Sequence, residues 1–438
     1  MHIPKTVGKI LDTLHTSGEQ AYLVGGCVRD MLLKRTPKDY DIATSATPDK
    51  VLALFTRAIP TGVKYGTVAV PTRVGLVEVT TFRSDGAYTD GRRPDTVVFG
   101  TTLVEDLARR DFTINAMAYD GVSLVDPFGG QEDLQDGIIS CVGVPEERFR
   151  EDALRMLRAV RLCVTRNFWL DAAVYVAVTT CAPLLANVSS ERIRDEFNQI
   201  IQYGKGDVLG LHLLSLSGLL TQFLPELVAC HGFDQKNPHH RKNVFWHTMS
   251  VFTHTPPRLE LRLAALLHDI AKPTTFTLDA NGVGHFYGHE DVGAVMADAI
   301  LQRMKYSNEV REKVVLLVRE HMFSDNMGKK AMRRFVVRLG EDNVRDLILF
   351  RKADVLGSGV PHNMEYLDEL EATMEEMRLA HVIDPAASLA INGHDVMQAL
   401  GIGPGPQVGR ILTNLREAIL DDPELNERGK LLQTLEGL

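Results

Sequence analysis

Cysteine is scarce and unpatterned in this chain. Cys27, Cys141, Cys163, Cys181 and Cys230 are the five among 438 residues, and no two stand as Cys-x-x-Cys. An odd, scattered set excludes a disulfide framework and fits a reducing, cytoplasmic setting. Long apolar runs are missing too; none reaches the length of a membrane span, so no membrane association is expected. The start, Met1-His2-Ile3-Pro4-Lys5, lacks the charged-then-apolar pattern of a secretory leader. There is no fixed-period repeat and no low-complexity tract. Excess positive charge is absent as well: the net charge of −9 argues against a general nucleic-acid coat protein. What remains is an ordinary globular balance, 45% hydrophobic and 24% charged, in a chain long enough for two to four domains. The charge is polarised, however. Arg148, Arg150, Arg155, Arg158, Arg161 and Arg166 fall within 19 residues that hold only two acids, which points to a local basic groove.

The pattern predicts a small mixed α/β domain over roughly the first 135 residues. Helices are expected over Thr6–His15, Cys27–Leu33 and Pro48–Phe55, the last with proline in its first turn. Strands are expected over Ala21–Val24, Tyr40–Ala43, Gly66–Pro71 and the β-branched run Leu76–Phe82. Ser84–Asp95, with its acids, arginines and glycines, reads as a flap or a solvated loop. From about Gly137 onward the pattern is helix after helix, with soft boundaries near Ile138, Gly204, Asn237 and Asp384-Pro385.

Two stretches of the α/β domain carry chemistry. Asp39-Tyr40-Asp41 follows shortly after Gly25-Gly26-Cys27-Val28-Arg29-Asp30. Acids one residue apart project the same way from a strand, because side-chain direction has period two. Two carboxylates so close are costly unless a divalent cation lies between them, so Asp39 and Asp41 are candidate Mg²⁺ ligands. Glu78 is a candidate third, with a strand-edge acid bonding a neighbouring loop as the equal alternative. A Gly25-Gly26 turn followed by Arg29 brings backbone N–H groups and a guanidinium to phosphates. Metal and phosphates side by side point to a nucleotide. A turn acid plus a helix-capping acid would explain the pair, but not the adjacent Gly-Gly-x-x-Arg.

Further motifs follow in order: Arg109-Arg110-Asp111-Phe112-Thr113-Ile114-Asn115, Asp126-Pro127-Phe128-Gly129-Gly130, and Arg148-Phe149-Arg150-Glu151-Asp152-Ala153-Leu154-Arg155. With them, roughly the first 205 residues resemble the class II nucleotidyltransferases that build the CCA end of tRNA. The resemblance implies an α+β chain. A polymerase-β-like mixed α/β nucleotidyltransferase head would span 1–137 and a helical neck with the nucleotide-selecting motif 138–204. A helical body would span 205–383 and a helical, tRNA-binding tail 384–438. It implies template-independent addition of C, C and A to a tRNA 3′ end from CTP and ATP. Asp39 and Asp41 would be catalytic, holding two Mg²⁺ ions that activate the 3′-hydroxyl and neutralise the triphosphate. Arg110 would contact the nucleotide and Asp111 would orient an arginine or the sugar; for Arg109 a helix-dipole role competes. The 84–95 loop resembles the one with which full CCA-adding members switch from C to A. Ser190–Gly204 resembles the last motif of this region and is expected to support the fold without touching substrate.

Glu151, Asp152 and Arg155 suggest how a base is chosen. On a continuous helix Arg155 neighbours Glu151 at i,i+4 and Asp152 at i,i+3. Asp152 only accepts hydrogen bonds and Arg155 only donates. Cytosine and adenine each offer an amino donor beside a ring-nitrogen acceptor, which this pair complements. Uracil and guanine present a carbonyl and a ring N–H there, a mismatch that can discriminate strongly. Arg158 and Arg161 extend the row toward a triphosphate. The plain alternative is a salt-bridge ladder on a solvated helix.

Downstream, His247, His268-Asp269, His289, His321 and Asp354 resemble the HD phosphohydrolase signature, placing an HD domain at about 240–356 within the body. Six imidazole and carboxylate ligands suit one or two transition-metal ions such as Mn, Ni or Co, and bound metal could deliver hydroxide to a phosphoester. The Gly401–Gly409 turn either cradles a backbone phosphate or only joins two helices. The rival functions are a bacterial poly(A) polymerase or A-adding enzyme, which shares the head motifs, and an HD phosphohydrolase that keeps the head for RNA binding. Oligomeric state is not encoded in any of these patterns.

Overall fold

Helix α1 (Lys5–Thr16) buries Val7, Ile10, Leu11 and Leu14, the i, i+3, i+4, i+7 stripe that its sequence carries. Strand β1 (Ala21–Val24) runs into α2 (Gly26–Leu32), and β2 (Tyr40–Thr44) is followed by α3 (Pro48–Leu54), where the Thr47 side chain accepts the Lys50 N–H. β3 (Ile59–Gly62), β4 (Thr67–Thr72) and β5 (Gly75–Thr81) form a meander, and β6 (Arg83–Asp85) pairs with β7 (Val97–Phe99). α4 (Leu103–Ala108) opens on a capping box of Thr102 and Glu105, and β8 (Ala118–Tyr119) and β9 (Leu124–Val125) complete a seven-stranded sheet in the order β3-β4-β5-β2-β1-β8-β9. Every neighbouring pair is antiparallel except β2 with β5. Val24, Ala43, Phe82, Leu103, Leu107, Ala116, Ala118 and Val142 pack into one core that fixes β1, β2 and α4 to one another.

The computed structural model describes residues 1–86, 96–203, 208–236, 243–324, 326–359, 364–379 and 389–436. By internal contacts the chain divides into Met1–Val228 and Ala229–Leu438. Residues 87–95, most of the loop expected over Ser84–Asp95, lie outside the described residues. The same holds for the boundary positions Gly204, Asn237 and Asp384-Pro385. Ser84 and Asp85 are strand rather than loop.

After the sheet the first unit becomes helical. α5 (Gly130–Asp136) precedes β10 (Ile138–Ile139), followed by α6 (Pro145–Glu151), α7 (Leu154–Arg166) and β11 (Trp169–Leu170), which pairs with β10. α8 (Ala172–Cys181), α9 (Ser190–Gln202), α10 (Leu209–Leu216), α11 (Leu219–Phe223) and α12 (Pro225–Ala229) follow. α7 lies against α9 and α10 and buries Met156, Leu157, Ala159, Val160, Leu162 and Cys163. Arg155, Arg158 and Arg161, three residues apart, are left on its other side. One expectation is corrected here. The Glu151–Arg155 stretch is not a continuous helix, because the chain breaks at Asp152, with φ −148° and ψ 103°. The break is stabilised locally: the Asp152 carbonyl accepts the Arg155 N–H at 3.0 Å and its carboxylate accepts the Leu154 N–H at 3.1 Å.

In the second unit α13 (Val244–His254), α14 (Leu259–Leu267) and α15 (Lys272–Thr275) lead to the hairpin of β12 (Thr277–Leu278) and β13 (Gly284–His285). α16 (His289–Arg303), α17 (Asn308–Glu320), α18 (Lys329–Leu339), α19 (Glu341–Ser358) and α20 (Glu365–Leu379) follow, then α21 (Gly393–Leu400), α22 (Pro406–Asp421) and α23 (Arg428–Glu436). No helix among the described residues is long and apolar enough to cross a membrane. α13 rests on α19 at Gly357, where a Cβ would stand 2.6 Å from Val251 Cγ2 and 2.8 Å from the Val251 nitrogen. Gly357→Ala is therefore expected to destabilise this unit by roughly 1–3 kcal/mol in denaturant unfolding. Unchanged stability would contradict so close a helix contact.

Candidate active site and metal centre

The register of the central strands gathers three acids. Asp41 lies beside Val24 on one flank and Glu78 on the other, and Asp39 sits in the bend one residue before β2, so it is not itself on the strand as expected. Asp41 is half-buried; Asp39 and Glu78 are exposed. Burial pushes the Asp41 carboxyl up to about 6; Arg110 pulls it down, and the charges of Glu78 and Asp39 add to the rise. An anion short of compensating charge beside two further carboxylates is the donor set that a hard divalent cation satisfies. Asp39, Asp41 and Glu78 thus offer the carboxylate chemistry that suits Mg²⁺, with no distance-defined ligand cluster among the three.

Beside Asp41 lies a cleft of about 410 Å³, lined by Gly25, Gly26, Arg29, Asp41, Arg109, Arg110, Asp111, Asn115, Asp152, Arg155, Arg158 and Arg161. Gly25, at the entry of α2, has φ +74°, and a Cβ there would meet Arg110 Nη1 at 3.1 Å and Asp41 Oδ2 at 3.7 Å. Glycine is needed both for the left-handed backbone and for room.

The guanidiniums of the cleft are held by acids. Asp30 accepts Arg29 Nε at 2.9 Å and Arg166 Nη2 at 3.1 Å, and Asn115 Oδ1 accepts Arg29 Nη1 at 2.7 Å. Asp106, fully buried, takes Arg109 Nη2 at 2.8 Å and Arg110 Nη2 at 3.2 Å. Asp111 takes Arg158 Nη2 at 2.7 Å and Asn115 Nδ2 at 3.0 Å. Burial pushes the Asp111 carboxyl up, yet the Arg158 charge and these hydrogen bonds outweigh it and hold it below the usual carboxylate range. Arg155 donates to Glu151 Oε2 at 2.6 Å and to the carbonyls of Arg148 and Arg109 at 3.2 and 3.1 Å. Glu196 takes Arg161 Nε at 2.6 Å.

The structure therefore brings together Gly25, Gly26, Arg29, Asp41, Arg110, Asp111, Asp152, Arg155, Arg158 and Arg161 on one cleft, with Glu151 behind Arg155 and Asp39 outside the lining. Because of the break at Asp152, Arg155 is paired to Glu151 and Asp152 to Arg192 at 2.7 Å, so the two are not joined to each other as a continuous helix would have placed them. Sequence reasoning missed Asp106 and Asn115. The one available signal was a polar side chain inside an apolar run, Thr113-Ile114-Asn115-Ala116-Met117, which needs a buried partner.

In the second unit helix ends converge on a different donor set. His268 and His321 follow the last turns of α14 and α17, His289 opens α16, His247 lies in the first turn of α13, and Asp269 follows His268. The groups His247–His268–Asp354 and Asp269–His289–His321 each bring their ligand atoms within 4.8 Å of one another. Asp269 joins them, with Oδ2 3.2 Å from His268 Nε2 and Oδ1 3.4 Å from His289 Nε2. Nδ1 of His268, His289 and His321 lies 3.0, 2.9 and 2.6 Å from the carbonyls of Ala265, Phe286 and Val318. Those contacts put the proton on Nδ1 and leave the Nε2 lone pairs for metal. Burial and the His268 charge push His321 down to about 3, keeping that imidazole neutral. Lys272 and Arg351 brace Asp269 and Asp354 at 2.7 and 2.8 Å. The set fits one or two transition-metal ions.

Three family models match the chain: the "Poly A polymerase head domain" over residues 21–140, the "Probable RNA and SrmB- binding site of polymerase A" over 167–230, and the "HD domain" over 240–358. The CCA-adding enzyme of Levilactobacillus brevis is 35% identical over 425 residues, 97% of this chain and 95% of its own. That of Geobacillus thermodenitrificans is 48% identical over 219 residues, 50% of this chain and 54% of its own. The solved structure of the Bacillus stearothermophilus CCA-adding enzyme in complex with CTP aligns at a TM-score of 0.70 and 28% identity, covering 100% of this chain and 98% of that one. The Thermotoga maritima CCA-adding enzyme complexed with tRNA shares the fold, with a TM-score of 0.62 at 18% identity over 100% of this chain and 99% of that one.

Calorimetric titration with Mn²⁺ is expected to show tight binding that His268→Ala abolishes and Asp41→Asn leaves in place. Tight binding retained in His268→Ala would show that the six side chains do not form the centre.

Proposed function

The chain belongs to the family of CCA-adding enzymes, which are metal-dependent nucleotidyltransferases, and on that premise we propose that it adds C, C and A in turn to a tRNA 3′ end from CTP and ATP. The observation that carries the reading is that acceptor and donor for a base, Asp152 and Arg155, share one cleft with Asp41 and the Gly25-Gly26 turn. In this reading residues 1–137 are the head, 138–204 the neck that selects the nucleotide, 205–383 the body with the HD domain and 384–438 a tail that grips tRNA.

Each side chain then has a defined task. Gly25 and Gly26 admit the triphosphate close to the backbone, and Arg29, Arg110, Arg158 and Arg161 neutralise it. Asp111 holds Arg158 in place, and Glu151 holds Arg155. Asp152 accepts the amino N–H of cytosine or adenine while Arg155 donates to the ring nitrogen; uracil and guanine present the opposite polarity and leave buried groups unpaired. Asp39 and Asp41 would hold Mg²⁺, which supplies Lewis-acid activation of the 3′-hydroxyl and charge neutralisation of the leaving pyrophosphate. A poly(A) polymerase would share the head, but the full-length relatives are CCA-adding enzymes.

One observation favours a second activity, phosphoester hydrolysis at the HD centre with Mn, Ni or Co: the three histidines whose Nδ1 is tied to a carbonyl turn Nε2 toward a shared point with two carboxylates.

The test is incubation with Mg²⁺, CTP, ATP and tRNA lacking its last three nucleotides, read at single-nucleotide resolution. Three additions that then stop are expected; a long A tail or no extension would contradict the proposal. Asp41→Asn is expected to slow the transfer by roughly 10³-fold, about 4 kcal/mol of transition-state stabilisation, with thermal unfolding preserved.

A further inference from the structure

α9 was expected to serve as support alone, yet two of its side chains, one turn apart, grip cleft residues. Arg192 Nη2 lies 2.7 Å from Asp152 Oδ2, and Glu196 Oε2 lies 2.6 Å from Arg161 Nε. Arg192 does not line the cleft; it reaches Asp152 from outside it. The other Asp152 oxygen accepts the Leu154 N–H at 3.1 Å. A carboxylate has about four acceptor positions, so these two bonds set its plane and still leave lone pairs on both oxygens. Arg155 is held separately, by Glu151 and by the carbonyls of Arg148 and Arg109. The donor and acceptor halves of the base-reading pair are thus fixed by different partners.

We propose that Arg192 is a positioning residue for nucleobase selection, holding the Asp152 carboxylate where it must meet an amino group. The inference rests on the reading of Asp152 and Arg155 given above. Without Arg192 the Asp152 carboxylate keeps only the Leu154 N–H, and its other oxygen can turn toward the cleft arginines, Arg155 among them. The acceptor half of the pair is then lost while the donor half stays, and a base that presents a carbonyl is no longer refused. Glu196 stands in contrast. It orients Arg161, which is assigned to phosphate, so its loss should weaken CTP and ATP alike and leave the choice between bases unchanged.

The experiment is a double-mutant cycle on the full chain, with tRNA lacking CCA, reading the ratio of kcat/KM for CTP over UTP. Arg192→Gln is expected to lower that ratio by about tenfold or more, Arg192→Lys to restore part of it through charge without the rigid fork, and Glu196→Gln to raise KM for CTP and ATP with the ratio preserved. In an Asp152→Asn background Arg192→Gln should change the ratio no further. Should Arg192→Gln fail to fold, judged by circular dichroism, Arg192→Met carries the same comparison. A reduced rate with an unchanged ratio, or a drop that adds in full to that of Asp152→Asn, would overturn the role of Arg192. A ratio unchanged by Asp152→Asn alone would overturn the base-reading pair itself.

Discussion

Pairing of guanidinium with carboxylate is the interaction on which the first unit depends. Taking a charge out of water costs several kcal/mol per ion unless a partner and further hydrogen bonds replace the lost hydration. Arg29, Arg109, Arg110, Arg155, Arg158 and Arg161 share one cleft, and Asp30, Asp106, Glu151, Asp111 and Glu196 pair with them. The acids come from α2, α4, α6, α9 and the segment after α4, so the network also ties α7 to α6, to α9 and to the segment after α4. Each guanidinium keeps a fixed direction before substrate arrives, and preorganised donors of this kind need no rearrangement when charge develops in a reaction. Asp41 is the contrasting case. Burial, and after it the charges of Glu78 and Asp39, leave its charge undercompensated despite Arg110, which is what prepares that edge of the cleft for a cation.

The second unit meets the same constraint with different chemistry. His321 avoids a desolvation penalty by staying neutral, and backbone carbonyls at helix ends accept from Nδ1 of His268, His289 and His321. Among the described residues Asp269 and Asp354 bring negative charge into the two ligand groups, and Lys272 and Arg351 offset it. Helix termini serve well here: His268 and His321 cap the C-terminal ends of α14 and α17 and His289 is the first residue of α16, so the three reach a common point from helix ends.

Much of this was legible in the sequence. Strands β1 and β2 and helices α1 and α3 follow apolar period and capping chemistry, and Gly25-Gly26 with Asp39 and Asp41 announces itself by the cost of placing such residues together for any other reason. Arg155, Arg158 and Arg161 are readable because a spacing of three keeps them on one side of a helix. The break at Asp152 was not readable, since Glu, Asp, Ala and Leu in succession satisfy a helix as well as a turn, and the Arg192 bond that holds Asp152 forms only once the chain has folded. Asp106 and Arg192 were illegible for a related reason. A single acid in α4 or a single arginine in α9 carries no local pattern, and the partners of Arg192 and Glu196 lie 40 and 35 residues away.

The central claim is that one cleft of protein side chains reads both cytosine and adenine. The most direct measurement is equilibrium competition between CTP and ATP for the protein without tRNA, with Ca²⁺ in place of Mg²⁺ to prevent reaction. The account predicts one site per chain at which CTP and ATP displace each other and from which UTP and GTP are excluded. Simultaneous binding of CTP and ATP to one chain, or displacement by UTP as readily as by CTP, would contradict it.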